Sequence, residues 1–124
     1  MTRHDDRVTL RQMLDHAEEA IAALGDRSKP ELEADRFLGL VLVRLAEIVG
    51  EAARRLSDDL RQRHPEAPWP QIIGLRNRLI HGYDQVDVGV VWDVVHNDFP
   101  TLAAQLRRVL EQEPSAGGGA SGEK

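Results

Sequence analysis

Residues 31–56 read ELEADRFLGLVLVRLAEIVGEAARRL. Leu38, Val41, Leu42, Leu45, Ile48, Val49, Ala52 and Leu56 recur there at three- and four-residue intervals, which sets them on one face of an α-helix. The pattern predicts a single long helix from near Glu31 to about Leu56. A helix of that length with an apolar stripe, rather than an apolar surface all round, suits an antiparallel bundle or a dimer seam.

Working outward, the same periodicity continues on both sides. Leu10, Met13, Leu14, Ala17, Ile21 and Leu24 stripe a first helix from about Val8 to Leu24, with Gly25 as its C-terminal stop and Asp26 to Pro30 as a short connection. Ser57-Asp58-Asp59 is an N-cap signal for a short helix ending near His64-Pro65, and Pro65, Pro68 and Pro70 force a bend around Trp69. A helix starting at Pro70 carries Ile72, Ile73, Leu75, Leu79 and Ile80 inward and is expected to break at Gly82, after His81. Asp87 caps a predicted helix from Val88 to Asn97, with Val91, Val94 and Val95 in the core and Trp92 beside them. Pro100 opens a last helix through Leu102, Leu106, Val109 and Leu110. The expected fold is all-α, an antiparallel helical bundle over residues 1–113, followed by a disordered Gly/Ser-rich tail over 114–124.

Composition narrows the class. A chain of 124 residues buries one core, not two, and its aromatic residues are few. With no cysteine there is no disulfide framework, thiolate nucleophile or cysteine metal site. The charged start, Met1 to Asp6, does not read as a signal peptide, and the longest apolar run, Phe37 to Val43, is far too short to span a bilayer. A soluble cytoplasmic protein is expected. A net charge of −5 argues against a general nucleic-acid coat protein, whose affinity comes from neutralising phosphates. The charge is uneven, however. Between Arg54 and His81 six arginines stand against only Asp58, Asp59 and Glu66, a local basic surface that can hold an anion or simply face solvent.

Within that segment, residues 75–83 read LRNRLIHGY and gather Arg76, Asn77, Arg78, His81 and Tyr83, the only tyrosine of the chain. Such density marks a candidate reaction centre; it equally describes a helix end with cationic side chains near its carbonyls. On one ideal helix Arg76 and His81 diverge by roughly 140°, whereas Asn77 and His81 share a face. A joint Arg76–His81 site therefore requires the arginine to reach around, a helix break, or a second copy of the chain, and a two-fold homodimer would bring two such sets into one cleft. The groups suit attack on a phosphodiester. Arginine offers a permanent charge in a planar fork, and histidine moves protons near neutrality. RNA needs no metal for this, because its 2′-hydroxyl is the nucleophile. His4, His16, His64 and His96 are scattered without metal-ligand spacing, no glycine-rich phosphate loop occurs, and no cofactor is expected. Glu47 and Glu51, one turn apart, read as ion-pair partners of Arg54 and Arg55.

Arg76, four residues, His81, one residue and Tyr83 form a pattern that resembles the R-x-x-x-x-H-x-Y signature of HepT-like HEPN-domain ribonuclease toxins. The flanks extend the likeness: Leu45 to Leu56, His64-Pro65, Pro68-Trp69, Gly74 to Asn77, Val86-Asp87, Trp92, and Asp98-Phe99-Pro100, about residues 10–110 altogether. The resemblance implies a helical homodimer that cleaves RNA without a metal, with Arg76 and His81 catalytic in the dimer cleft. Asn77 is then a supporting residue and Arg78 a supporting charge. It further implies a type VII-like toxin–antitoxin pair, in which an MntA-like minimal nucleotidyltransferase antitoxin uses ATP to place AMP on Tyr83 and silence the nuclease. An adenylate there would compete with RNA for Arg76. The acidic net charge keeps an alternative open: a non-catalytic helical binding subunit of a minimal nucleotidyltransferase.

Overall fold

The computed structural model describes residues 5–81 and 85–114. Eight α-helices and a two-stranded ribbon are seen among them. Helix α1 spans Asp6–Leu24, α2 Lys29–Glu33, α3 Arg36–Arg55, α4 Asp58–Arg63, α5 Trp69–Ile73 and α6 Leu75–Leu79. Strands β1 (Ile80–His81) and β2 (Gln85–Val86) follow, then α7 (Val88–Asp93), a π-helical turn at Val94–Asp98 and α8 (Phe99–Gln112). The bundle expected from the sequence is the fold observed. The tail expected beyond Pro114 lies outside the described residues, as does the helix break expected at Gly82.

Helix α1 is the centre of the bundle, packed against both α3 and α8. Asp5 caps it by accepting from the Arg7 N–H at 2.9 Å, and it stops at Gly25, whose φ of 57° is costly for any residue with a Cβ. Its Leu10, Met13 and Ala17 are fully buried against Leu42, Ala46 and Val49 of α3 and Leu106 and Val109 of α8 in one core.

The long helix expected from Glu31 is divided. Ser28 and Glu31 form a capping box that starts α2, and Asp35 accepts from the Leu38 N–H at 3.1 Å to start α3 afresh. Two side-chain caps within eight residues outcompete the continuation that the apolar stripe suggested. The stripe also overreached at its N-terminal end. Val41, expected in the core, is 49% exposed, because the body of the bundle covers only the neighbouring face of α3. Further along, α3 passes so close to α5 that a Cβ on Gly50 would stand 2.8 Å from the Ile72 carbonyl oxygen. Only glycine fits that crossing.

Ser57 caps α4 and is itself held by Asp6, which accepts from both its N–H (3.0 Å) and its hydroxyl (2.7 Å). Trp69 is buried in the proline bend and donates its indole N–H to the His64 carbonyl at 2.9 Å. The helix predicted from Pro70 to His81 is broken twice. It closes on Gly74, whose N–H reaches the Pro70 carbonyl, and α6 then ends at Leu79. Ile80 and His81 are extended and pair antiparallel with Val86 and Gln85, while the Asp87 N–H bonds the Leu79 carbonyl at 2.8 Å. Asp87 caps α7 as expected, accepting from the Val90 N–H at 3.1 Å.

The last two predicted helices run together through the π turn rather than starting anew at Pro100. The reason lies in the side chains. At roughly 100° per residue an uninterrupted α-helix would turn Asp98 into the middle of the face formed by Val91, Val94 and Val95. The wider π turn carries Asp98 outward, where its side chain is 55% exposed, and brings Phe99 into the core instead.

Candidate active site

Helix α6 is little more than one turn, yet it positions most of the motif. Leu75 and Leu79, four apart, are buried and fasten it to the core, so Arg76, Asn77 and Arg78 all face outward. Arg76 and Arg78 leave α6 about 200° apart and serve different sides of it. Arg76 leans toward α3, its Nε 3.2 Å from the Glu47 carboxylate (Oε2). Arg78 leans toward the π turn, its Nη1 3.5 Å from Asp98. Asn77 stands between them on the outermost face.

His81 is not on that helix. Because Ile80 and His81 are extended, the one-helix angle between Arg76 and His81 no longer applies, and the shared helical face expected for Asn77 and His81 does not exist. The imidazole is more than half exposed, with Nε2 3.4 Å from Oδ2 of Asp87. Asp87 spends its other oxygen on the cap of α7. One carboxylate thus starts a helix and faces the imidazole at once. Tyr83 lies outside the described residues.

The sequence reading missed two members of this neighbourhood. Glu47 pairs with Arg76 and, at 4.0 Å, with Arg44, and Glu51 lies 3.8 Å from Arg44. The partnership expected with Arg54 and Arg55 is not what forms, for Arg55 instead donates to the Gln12 side chain at 2.6 Å. Asp87 was legible as a cap but not as the neighbour of His81. Its only signal is position, six residues after His81 in a chain that turns back on itself.

Between α3 and α6 runs a groove of about 200 Å³, walled by Glu47, Gly50, Glu51, Arg54, Ile73 and Arg76. Glu47 is the more enclosed member of its ion pair, with 17% of its side chain exposed against 70% for Arg76. The more enclosed carboxylate meets the guanidinium at its inner nitrogen, and most of the arginine side chain is exposed. That arrangement offers an anion a planar fork with a preset direction. Among the described residues no three His, Cys, Asp or Glu side chains converge as a metal-holding group would.

A family model described as "Ribonuclease HepT-like" matches residues 13–109. The chain belongs to the HepT-like ribonuclease family. Among relatives of these HepT-like proteins, "Putative RNase MJ1380" of Methanocaldococcus jannaschii is 31% identical over 109 residues, 88% of this chain and all of that one. "Putative RNase TTE0752" of Caldanaerobacter subterraneus subsp. tengcongensis is 32% identical over 104 residues, 84% of this chain and 93% of its own. "Probable ribonuclease HepT" of Thermococcus cleftensis is 36% identical over 75 residues, 60% and 68% of the two chains. No solved structure matches the chain. The HepT-like match spans α1 to α8 and includes both Arg76 and His81. No helix among the described residues is long and apolar enough to cross a membrane.

Proposed function

We propose that this HepT-like protein is a toxin ribonuclease that cleaves RNA through its own 2′-hydroxyl, in the cleft of a homodimer and without a metal. The observation that carries the reading is the pair of exposed, separately anchored groups: Arg76 met at its inner nitrogen by Glu47, and His81 beside Asp87. Neutral His81 takes the 2′-hydroxyl proton as the 2′-oxygen attacks phosphorus, and the P–O5′ bond breaks. The leaving 5′-oxygen receives a proton, which in a two-fold dimer the second His81 can give. A 2′,3′-cyclic phosphate and a 5′-hydroxyl result. Arg76 carries the charge that develops on the phosphate oxygens, and Asn77 and Arg78 support the strand on the outer side of α6.

The dimer has support on α3. Phe37 is 79% exposed, and Leu40 and Val41 are 42% and 49% exposed, an apolar stripe that continues toward Glu47 and hence toward Arg76. A second copy seated on that stripe would stand beside the arginine and enclose it.

Control is assigned to Tyr83 and an MntA-like nucleotidyltransferase. The phenol oxygen attacks the α-phosphorus of ATP, pyrophosphate leaves, the phenol proton passes to a base, and the bound adenylate blocks Arg76 and the cleft. A second reading, a non-catalytic subunit of that nucleotidyltransferase, draws on the net charge of −5. Incubation with RNA in EDTA separates the two. Cleavage to 2′,3′-cyclic phosphate ends, lost in His81→Ala, is expected; intact RNA, or cleavage that survives His81→Ala, would sink the nuclease reading.

A further inference from the structure

On the far side of α6 from Arg76 lies a second concavity, of about 210 Å³, between α5–α6 and the π turn with α8. We propose that it is a subsite for a single nucleobase of the RNA strand, which makes it the place where this protein reads sequence near the cut. The proposal rests on the ribonuclease reading above and adds a specificity element to it.

Size, wall chemistry and rim chemistry agree on such an occupant. An apolar cavity of about 150 Å³ accepts one benzene ring, so this cleft has room for one larger ring system but not for a whole nucleotide. Its walls are apolar, from Ile72, Leu75 and Leu102, and would cover the faces of a flat ring. The rim is polar and suited to the edges of one. Gln71 and Asn97 bring amides, which pair with adjacent donor and acceptor atoms of a base, and Asp98 brings an acceptor for an exocyclic amino group. All three belong to exposed positions, and Arg78 meets Asp98 at the mouth across 3.5 Å, with both side chains about half exposed. A pair that long and that wet opens readily and leaves the guanidinium for the phosphate that follows the bound base.

Two features tie the cleft to the cutting site. Arg78 lines it and stands two residues from Arg76 on the same short helix, so the two sites are separated by about the 10 Å width of α6, a distance that neighbouring nucleotides of one strand bridge. The rim residues Asn97 and Asp98 are carried by the π turn, a helical irregularity found frequently at functional sites. The turn explains their presence at the mouth, for a regular helix would have directed Asp98 inward.

The test uses the full chain and two readouts. In the first, the uncharged nucleosides adenosine, cytidine, guanosine and uridine are titrated separately into isotopically labelled protein. Saturable shifts of the Gln71, Asn97 and Thr101 amides are expected with at least one of them. Thr101 is exposed on α8, so Thr101→Trp fills the cleft without entering the core, and it should abolish the shifts. Absence of shifts with all four nucleosides at millimolar concentration, or shifts that persist in Thr101→Trp, overturns the subsite. In the second, cut sites are sequenced in a randomised RNA pool. Wild type should prefer one base at a fixed position beside the cut. Thr101→Trp and Asn97→Ala should flatten that preference and raise KM about tenfold with kcat retained. Unchanged preference and KM overturn the proposal. If nucleosides bind but wild type cuts no RNA, the ribonuclease reading is what fails, and the cleft is reassigned from the RNA strand to free nucleotides.

Discussion

Glu47 and Arg76 meet at 3.2 Å, Oε2 to Nε, where α6 crosses α3. The contact is at the inner nitrogen of the guanidinium, and the carboxylate is much the less exposed partner. Glu47 therefore directs Arg76 rather than the reverse. Arg76→Ala should lower kcat on RNA by about 10²–10³, the usual loss when a donor to a developing oxyanion is removed. Glu47→Ala should lower kcat by about tenfold through a wandering arginine, and the double variant should be no worse than Arg76→Ala alone. Steady-state kinetics on one RNA substrate checks all three.

Asp87 has two duties, and one substitution separates them. Asparagine caps a helix as well as aspartate does, so Asp87→Asn should melt at the wild-type temperature. It removes the charge 3.4 Å from His81 and should slow cleavage. His81→Ala should cost about 10²–10⁴ in rate. Calorimetry alongside cleavage assays would expose a purely structural Asp87 if stability fell and rate did not.

The exposed stripe on α3 predicts the oligomeric state. Phe37→Glu with Val41→Glu should convert a dimer into a folded monomer, since neither side chain contributes to the core. Sedimentation velocity reads the change directly, and cleavage activity should fall with the dimer.

Acid stability should report on Glu113. Burial pushes its carboxyl up, but hydrogen bonds from Arg63 and His64 outweigh this and hold it below the ordinary carboxylate range. A folded-state pKa below the unfolded one contributes stability that is present above the unfolded value and lost as pH falls through the folded value. Thermal melts should therefore decline as Glu113 protonates and releases Arg63, 2.7 Å away, from the end of α8. Glu113→Gln should be less stable at neutral pH and lose less on acidification.

Gly50→Ala should destabilise the fold by about 1–2 kcal/mol. The added methyl meets the backbone oxygen of Ile72 at 2.8 Å, and overpacking outweighs the better helix propensity of alanine. Denaturant melts measure it.

The bundle was legible because α1, α3 and α8 each carry a long apolar period that only a helix satisfies. Divisions within helices were harder. Ser28, Glu31 and Asp35 are capping residues in plain view, yet the stripe from Leu38 onward overshadowed them. The exit from helix at Ile80 rests on pairing with Gln85–Val86 and on Asp87 reaching the Leu79 carbonyl, contacts that a local pattern does not encode. The motif residues Arg76, Asn77, Arg78 and His81 were visible as chemistry. Their partners Glu47 and Asp87 were not, because one lies on another helix and the other looked fully employed as a cap.

The π turn at Val94–Asp98 has a consequence for how this fold tolerates changes of length. It holds one residue more than the α-helix on either side needs, so the apolar faces of α7 and α8 align only because that surplus is absorbed. Deleting a single residue there would return the two helices to a common phase and leave the core intact, while drawing Asn97 and Asp98 away from the mouth of the cleft. At this one place a shorter chain would give a more regular molecule with less to say to its substrate.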